Sequence, residues 1–151
     1  MNSCGSGIYL SLLQDIARSD QKMNNLQKLQ QHVIELASHV DQLHEVIFTD
    51  LDGVPILRCS IDNSAEMSIK TQFLASKALS TEKVRTLTVG DLKSAVFYYS
   101  QYQLVLIRFN TMFLCLIAST YANTSELLAL RDSFNSFICI LKKILGDSTL
   151  M

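Results

Sequence analysis

The chain has 151 residues, 48% of them hydrophobic, which suits one domain with a buried core and excludes a wholly disordered polymer. Its formal net charge is −1, with 13 basic residues scattered and Lys142-Lys143 the one adjacent basic pair. No global field draws it to nucleic acid or to anionic lipid.

Residues 1–22 read as an extension, with Leu12, Leu13 and Ile16 able to share one face of a short helix. Over Met23–Val40, Leu26, Leu29, Val33, Leu36 and Val40 recur at three- and four-residue steps and draw one apolar stripe, which predicts a helix. A hairpin follows, with strands at about Leu43–Asp50 and Val54–Ser60. Asp52-Gly53 supplies the positive φ of a tight reversal. Pro55 cannot donate to a ladder, so it belongs at a strand start or a sheet edge. Asn63 and Glu66 form a capping box for a helix over Ser64–Glu82. At 100° per residue, Met67, Leu74 and Ala78 fall on one side of that helix, with Ile69 and Phe73 nearly opposite. A partner can cover the second stripe.

After a connection over 83–92, strands are predicted at Lys93–Ser100, Gln103–Asn110 and Met112–Ser119, joined by turns short enough to force antiparallel pairing. Their nearly continuous apolar runs imply a sheet covered on both faces. Asn123-Thr124-Ser125-Glu126 caps a last helix carrying Leu127, Leu130, Phe134, Ile138, Leu141 and Leu145, closed by Gly146. The order is helix, two strands, helix, three strands, helix: one α+β domain over 23–146, with 147–151 a tail.

Chemistry is sparse. Asp50-Leu51-Asp52-Gly53-Val54 resembles the first motif of haloacid-dehalogenase-type phosphatases, with Asp50 as nucleophile and Asp52 as acid and base. That motif requires a parallel βαβ crossover and a second acidic cluster. Here an antiparallel return follows, and Ala95 stands where a further acid should be, so turn chemistry is the preferred reading. An EF-hand loop has too few acids here. His32 and His39 fall on or near a polar helix face and read as solvated. His44 opens a strand. No catalytic residue, cofactor or metal site is assigned. Cys4, Cys59, Cys115 and Cys139 lack metal or redox spacing and read as free thiols, although spacing alone leaves disulfides open. The start, Met1–Gly7, lacks a leader pattern, and Leu104–Ala118 is broken by Arg108 and Asn110, short of the ~20 apolar residues of a membrane span.

The informative features are therefore apolar surfaces: the extra stripe on the second helix, and an aromatic third strand that is an aggregation hazard at a sheet edge unless something pairs with it. His44, Asp52-Gly53-Val54-Pro55, Asp62-Asn63, Phe73-Leu74, Ala78-Leu79, Tyr98-Tyr99, Tyr102-Gln103, Ile117-Ala118-Ser119 and Ala122-Asn123-Thr124 come in an order that resembles the roadblock/LC7 family, in its MAP kinase scaffold branch of MEK-binding partners. The likeness spans about Asn24 to Lys142. It implies a five-stranded antiparallel sheet with helices on both faces, and a non-enzymatic scaffold that pairs with a second roadblock subunit. It further implies a lipidated wrapping subunit, Rag GTPases with TOR complex 1, and a MAP kinase kinase with its ERK target as partners. The place implied is the cytoplasmic face of the late endosome or lysosome, within the Ragulator complex. Pairing residues carried over by position are Ile69, Phe73, Leu74 and Lys77 on the helix, and Ser94, Ala95, Val96, Phe97, Tyr98 and Tyr99 on the strand. The chain departs from the family pattern in its Met1–Met23 extension and in the charge at Lys77. A homodimeric roadblock module such as a dynein light chain is the alternative within the same fold.

Overall fold

Three tight reversals arrange the sheet. The computed structural model describes residues 22–62, 71–85 and 89–146. Strand β1 (Leu43–Asp50) turns into β2 (Pro55–Ser60), and β3 (Ser94–Tyr98), β4 (Tyr102–Arg108) and β5 (Met112–Ser119) form a meander. At the first reversal Asp50 Oδ1 accepts from the amides of Asp52 and Val54, both at 2.9 Å, and Gly53 sits at φ 85°. A side chain that accepts from amides two and four residues on stabilises a turn, and positive φ favours glycine. Asp50 is thus engaged in holding its own hairpin. The antiparallel β1–β2 pair also lacks the crossover that the phosphatase motif needs. Pro55 opens β2, where its missing N–H costs nothing.

The five strands lie in the order β2-β1-β5-β4-β3, each pair antiparallel. Helices α1 (Lys22–Ala37) and α3 (Thr124–Gly146) cover one face. There Leu29, Val33, Leu130 and Leu141 pack on Val46, Phe48, Leu114 and Leu116. Phe48, Phe134 and Phe137 form a ring cluster with centroids 5.2–6.0 Å apart, two of the three contacts edge-on. Helix α2 (Thr71–Arg85) covers the other face, with Ala78 buried over Leu104, Leu106, Phe113, Cys115 and Ile117. Arg108 Nε donates to Glu82 Oε1 at 2.8 Å and ties α2 to β4. Asn123 Oδ1 accepts from the Ser125 amide at 3.0 Å and caps α3 as the sequence predicts.

Several expectations shift. Helix α2 continues to Arg85 rather than stopping at Glu82, and β3 ends at Tyr98 rather than Ser100. The Asn63–Glu66 cap, Met67 and the 1–21 segment lie outside the described residues. Phe73 does not stand opposite the sheet: it is half-buried and packs on the cluster beneath α2, because a long aromatic on a helix shoulder folds back onto nearby apolar surface. Cys59 and Cys115 are free and buried, and burial pushes both thiols up to about 12, so they stay protonated at neutral pH. Cys139 is disulfide-bonded, which corrects the free-thiol expectation there; cysteine spacing carries no information on pairing.

His32 is half-buried against the Phe137 ring, 5.7 Å between centroids, and is not a solvated surface histidine. Burial holds its imidazole below the ordinary 6.5, with Glu35 opposing that shift more weakly. The unfolded chain then takes up a proton before the folded chain does, so stability is lost as pH falls through 6.5 and below. Replacing His32 by Gln should flatten this acid loss. The check is the thermal midpoint of both proteins between about pH 7.5 and about pH 5.5, where the parent should fall further.

Candidate functional site

The two ends of the sheet are unlike. In antiparallel pairs, residues alternate between bonding their neighbour and pointing away. The bonds from Tyr99 N to Tyr102 O (2.9 Å) and from Arg108 N to Lys93 O (2.8 Å) fix the phase of β3. Ala95 and Phe97 therefore face β4, and the backbone groups of Ser94, Val96 and Tyr98 point outward from the sheet. No other described strand pairs with them. At the opposite end β2 is blunted. Gln30 of α1 donates to the outward carbonyl of Arg58 at 3.0 Å, Pro55 presents no N–H, and the register slips between Phe48 and Thr49. Bulges, proline and side-chain cover are the usual protections of an edge. The Arg58 side chain bonds Glu45 Oε1 at 2.9 Å, across β1 and β2, and burial raises the Glu45 carboxyl above its ordinary value while Arg58 opposes the shift.

The side chains of β3 divide between the two faces with period two. Val96 packs toward the α1/α3 core. Tyr98 is 66% exposed, and its hydroxyl lies 3.0 Å from Thr124 Oγ1. Phe97 and Tyr99 turn to the α2 side, where Phe73 and Tyr99 rings meet at 5.7 Å and Tyr99 stacks on Tyr102 at 5.0 Å. The Lys77 ammonium lies over three of these rings, at 5.3 Å from Phe73, 5.1 Å from Phe97 and 5.9 Å from Tyr99. A shallow apolar cleft of about 180 Å³ runs alongside, lined by Ser80, Thr81, Leu92, Ala95 and Phe97. The structure thus gathers Phe73, Lys77, Ala95, Phe97 and Tyr99 into one seam between α2 and the open edge. It sets Ser94, Val96 and Tyr98 on the reverse face. Leu74 lies on α2, and Ile69 lies outside the described residues.

Sequence reading missed what braces this corner. Gln103 is fully buried in β4 and every polar group of its side chain is used: Nε2 donates to the carbonyls of Ser119 and Ala122, both at 3.1 Å, and Oε1 accepts from Thr124 Oγ1 at 2.8 Å. Thr124 in turn meets Tyr98, so the end of β3 is tied through β4 to the start of α3. One amide at the flank of the apolar run Leu104–Ile107 was the available signal. Among the described residues, no group of three or more His, Cys, Asp or Glu is placed to hold a metal ion.

Residues 27–145 match the family described as mitogen-activated protein kinase kinase 1 interacting. The chain belongs to that family. Its relatives include the Ragulator complex protein LAMTOR3 of Xenopus tropicalis, 30% identical over 122 residues, covering 81% of this chain and 98% of that protein. LAMTOR3 of Danio rerio is 30% identical over 116 residues, covering 77% and 94%. Among solved structures, the gliding protein MglB of Thermus thermophilus superposes with a TM-score of 0.63 at 12% identity, over 76% of this chain and 89% of that one. A roadblock/LC7 domain from Streptomyces avermitilis does so with a TM-score of 0.52 at 16% identity, over 70% and 92%. The family member therefore has the roadblock/LC7 fold expected of it, with helices on both faces of a five-stranded antiparallel sheet.

Replacing Gln103 by Leu removes the side-chain donor to the Ala122 carbonyl and leaves the Ser119 carbonyl with the Ala122 amide alone, a loss of about 1–3 kcal/mol. Denaturant unfolding should register that loss. Tyr98→Phe, which removes a hydroxyl in an exposed position, should cost well under about 1 kcal/mol by the same assay.

Proposed function

We propose that the chain is a non-enzymatic adaptor subunit that pairs, through β3 and the α2 shoulder, with a second roadblock-type chain. The observation that carries this reading is the asymmetry of the sheet: β2 is protected, whereas β3 presents backbone that no described strand pairs, beside a cluster of aromatic rings. Adding a strand to β3 satisfies its outward amides and carbonyls and covers the seam. A stable interface of this kind buries on the order of 1,600 Å² in total. The residues engaged would be Phe73, Leu74 and Lys77 with Ser94–Tyr99, and Ile69 by position.

Membership of a Ragulator-like complex is supported by the names of the LAMTOR3 relatives, which align over nearly their whole length. In this reading the pair sits on the late endosomal or lysosomal surface, held by a lipidated wrapping subunit. It supports Rag GTPase signalling to TOR complex 1 and scaffolds a MAP kinase kinase with ERK. The family description supports the kinase connection. No described helix is long and apolar enough to cross a membrane. The adaptor reading takes 23–146 as the pairing domain and 1–22 as an extension to it.

Phe73→Asp should weaken pairing about 100-fold, the loss expected when an aromatic at the centre of an interface becomes a charge. The isolated variant should keep its far-ultraviolet circular dichroism spectrum. The measurement is affinity purification of tagged wild type and variant at native expression, with stoichiometry by quantitative mass spectrometry. A roadblock-domain chain should come down one-to-one with wild type and be depleted with the variant. A wild-type chain that stays monomeric and brings down no roadblock subunit contradicts the reading.

A further inference from the structure

We propose that Lys77 selects the partner: it disfavours a second copy of this chain and favours a roadblock-type chain with a carboxylate at the facing position. The inference rests on the pairing reading above and names the residue that decides between self-pairing and mixed pairing. The Lys77 ammonium is held at the seam by rings from two separate elements, Phe73 of α2 and Phe97 of β3, with Tyr99 just beyond the strand. Contact with ring faces fixes where the cation sits. It does not supply hydrogen-bond acceptors for three N–H donors. No carboxylate among the described residues pairs with Lys77, and the next acid along α2, Glu82, is held by Arg108 at 2.8 Å.

A strand laid along β3 changes this. It covers the seam and removes water from a half-buried ammonium, which is costly unless an acceptor replaces it. In a two-fold dimer each element meets its own equivalent near the axis. Lys77 stands over Phe97, next to Val96 at the middle of β3. Neighbouring strands lie only ~4.8 Å apart. Self-pairing about the middle of β3 therefore brings two ammonium groups toward the axis in a surround of aromatic rings, with no described acid of the seam from either copy to separate them. A partner carrying Asp or Glu at the facing helix position converts the same geometry into an ion pair. Repulsion of the wrong partner together with attraction of the right one is how closely related interfaces are told apart.

The test is the self-association of the full-length chain, by sedimentation velocity over a concentration series, for wild type, Lys77→Met and Lys77→Glu. Equimolar wild type and Lys77→Glu form the mixed sample. Lys77→Met keeps the bulk and loses the charge, so it should self-associate at least about tenfold more tightly than wild type. The mixed sample should associate more tightly than either component alone, and this advantage should shrink at about 1 M salt, where the screening length falls to ~3 Å. Phe73→Asp added to Lys77→Met should abolish the gain, which locates it at the seam. Absence of a gain in Lys77→Met, or in the mixed sample, overturns the proposal. Such a failure leaves the pairing reading untouched if Phe73→Asp still loses its roadblock partner in cells. If Phe73→Asp retains that partner, the pairing reading itself has failed.

Discussion

A sheet must end somewhere, and what happens at its last strand governs the rest of this molecule. Every residue at an edge carries backbone groups that water, a side chain or another strand has to satisfy. This chain treats its two edges oppositely. Gln30 reaches from α1 to the Arg58 carbonyl, and Pro55 and a bulge spoil the remaining pattern on β2. On β3 the groups of Ser94, Val96 and Tyr98 point outward with no described strand beside them, in the most aromatic strand of the sheet. Among the described residues one edge is protected and the other is open, an arrangement suited to extension at the open one.

The core makes that edge usable. Among the described residues the α1/α3 face holds the larger buried cluster, including Phe48, Phe134 and Phe137. Helix α2 is anchored at its far end by Glu82–Arg108 and rests on a smaller set of residues through Ala78. Gln103, with its three satisfied hydrogen bonds, locks the β3–β4 turn region to α3, so the open strand is held in a defined position. Docking onto a pre-positioned strand loses less conformational freedom than ordering a loose one.

Much of this is legible in the sequence because it is local. Apolar runs and short turns mark all five strands, Asp52-Gly53 marks its reversal, and Asn123 marks the start of α3. The neighbours β1–β2 and β3–β4–β5 follow from loop length, whereas the β1–β5 pairing that joins them is non-local and no period encodes it. A helical wheel puts Phe73 on the wrong side because it records angle and ignores the reach of a side chain. His32 reads as solvated because it borders the apolar stripe, and the Phe137 ring that covers it is over a hundred residues away in the chain. Lys77 reads as a misplaced charge until the rings of Phe97 and Tyr99 are seen to fold around it. The Asp50-x-Asp52 pair, the one sequence feature that suggests catalysis, is explained by the turn it holds.

Amide hydrogen exchange along β3 tests the central claim most directly. It should be measured on the dilute isolated chain and on the same chain within the complex purified from cells. Ala95 and Phe97, bonded to β4, should be protected in both states. Ser94, Val96 and Tyr98 should exchange freely in the isolated chain and slow by about a hundredfold or more once a partner strand is added. Equal protection of those three amides in the two states would mean that β3 is not where this protein meets its partner.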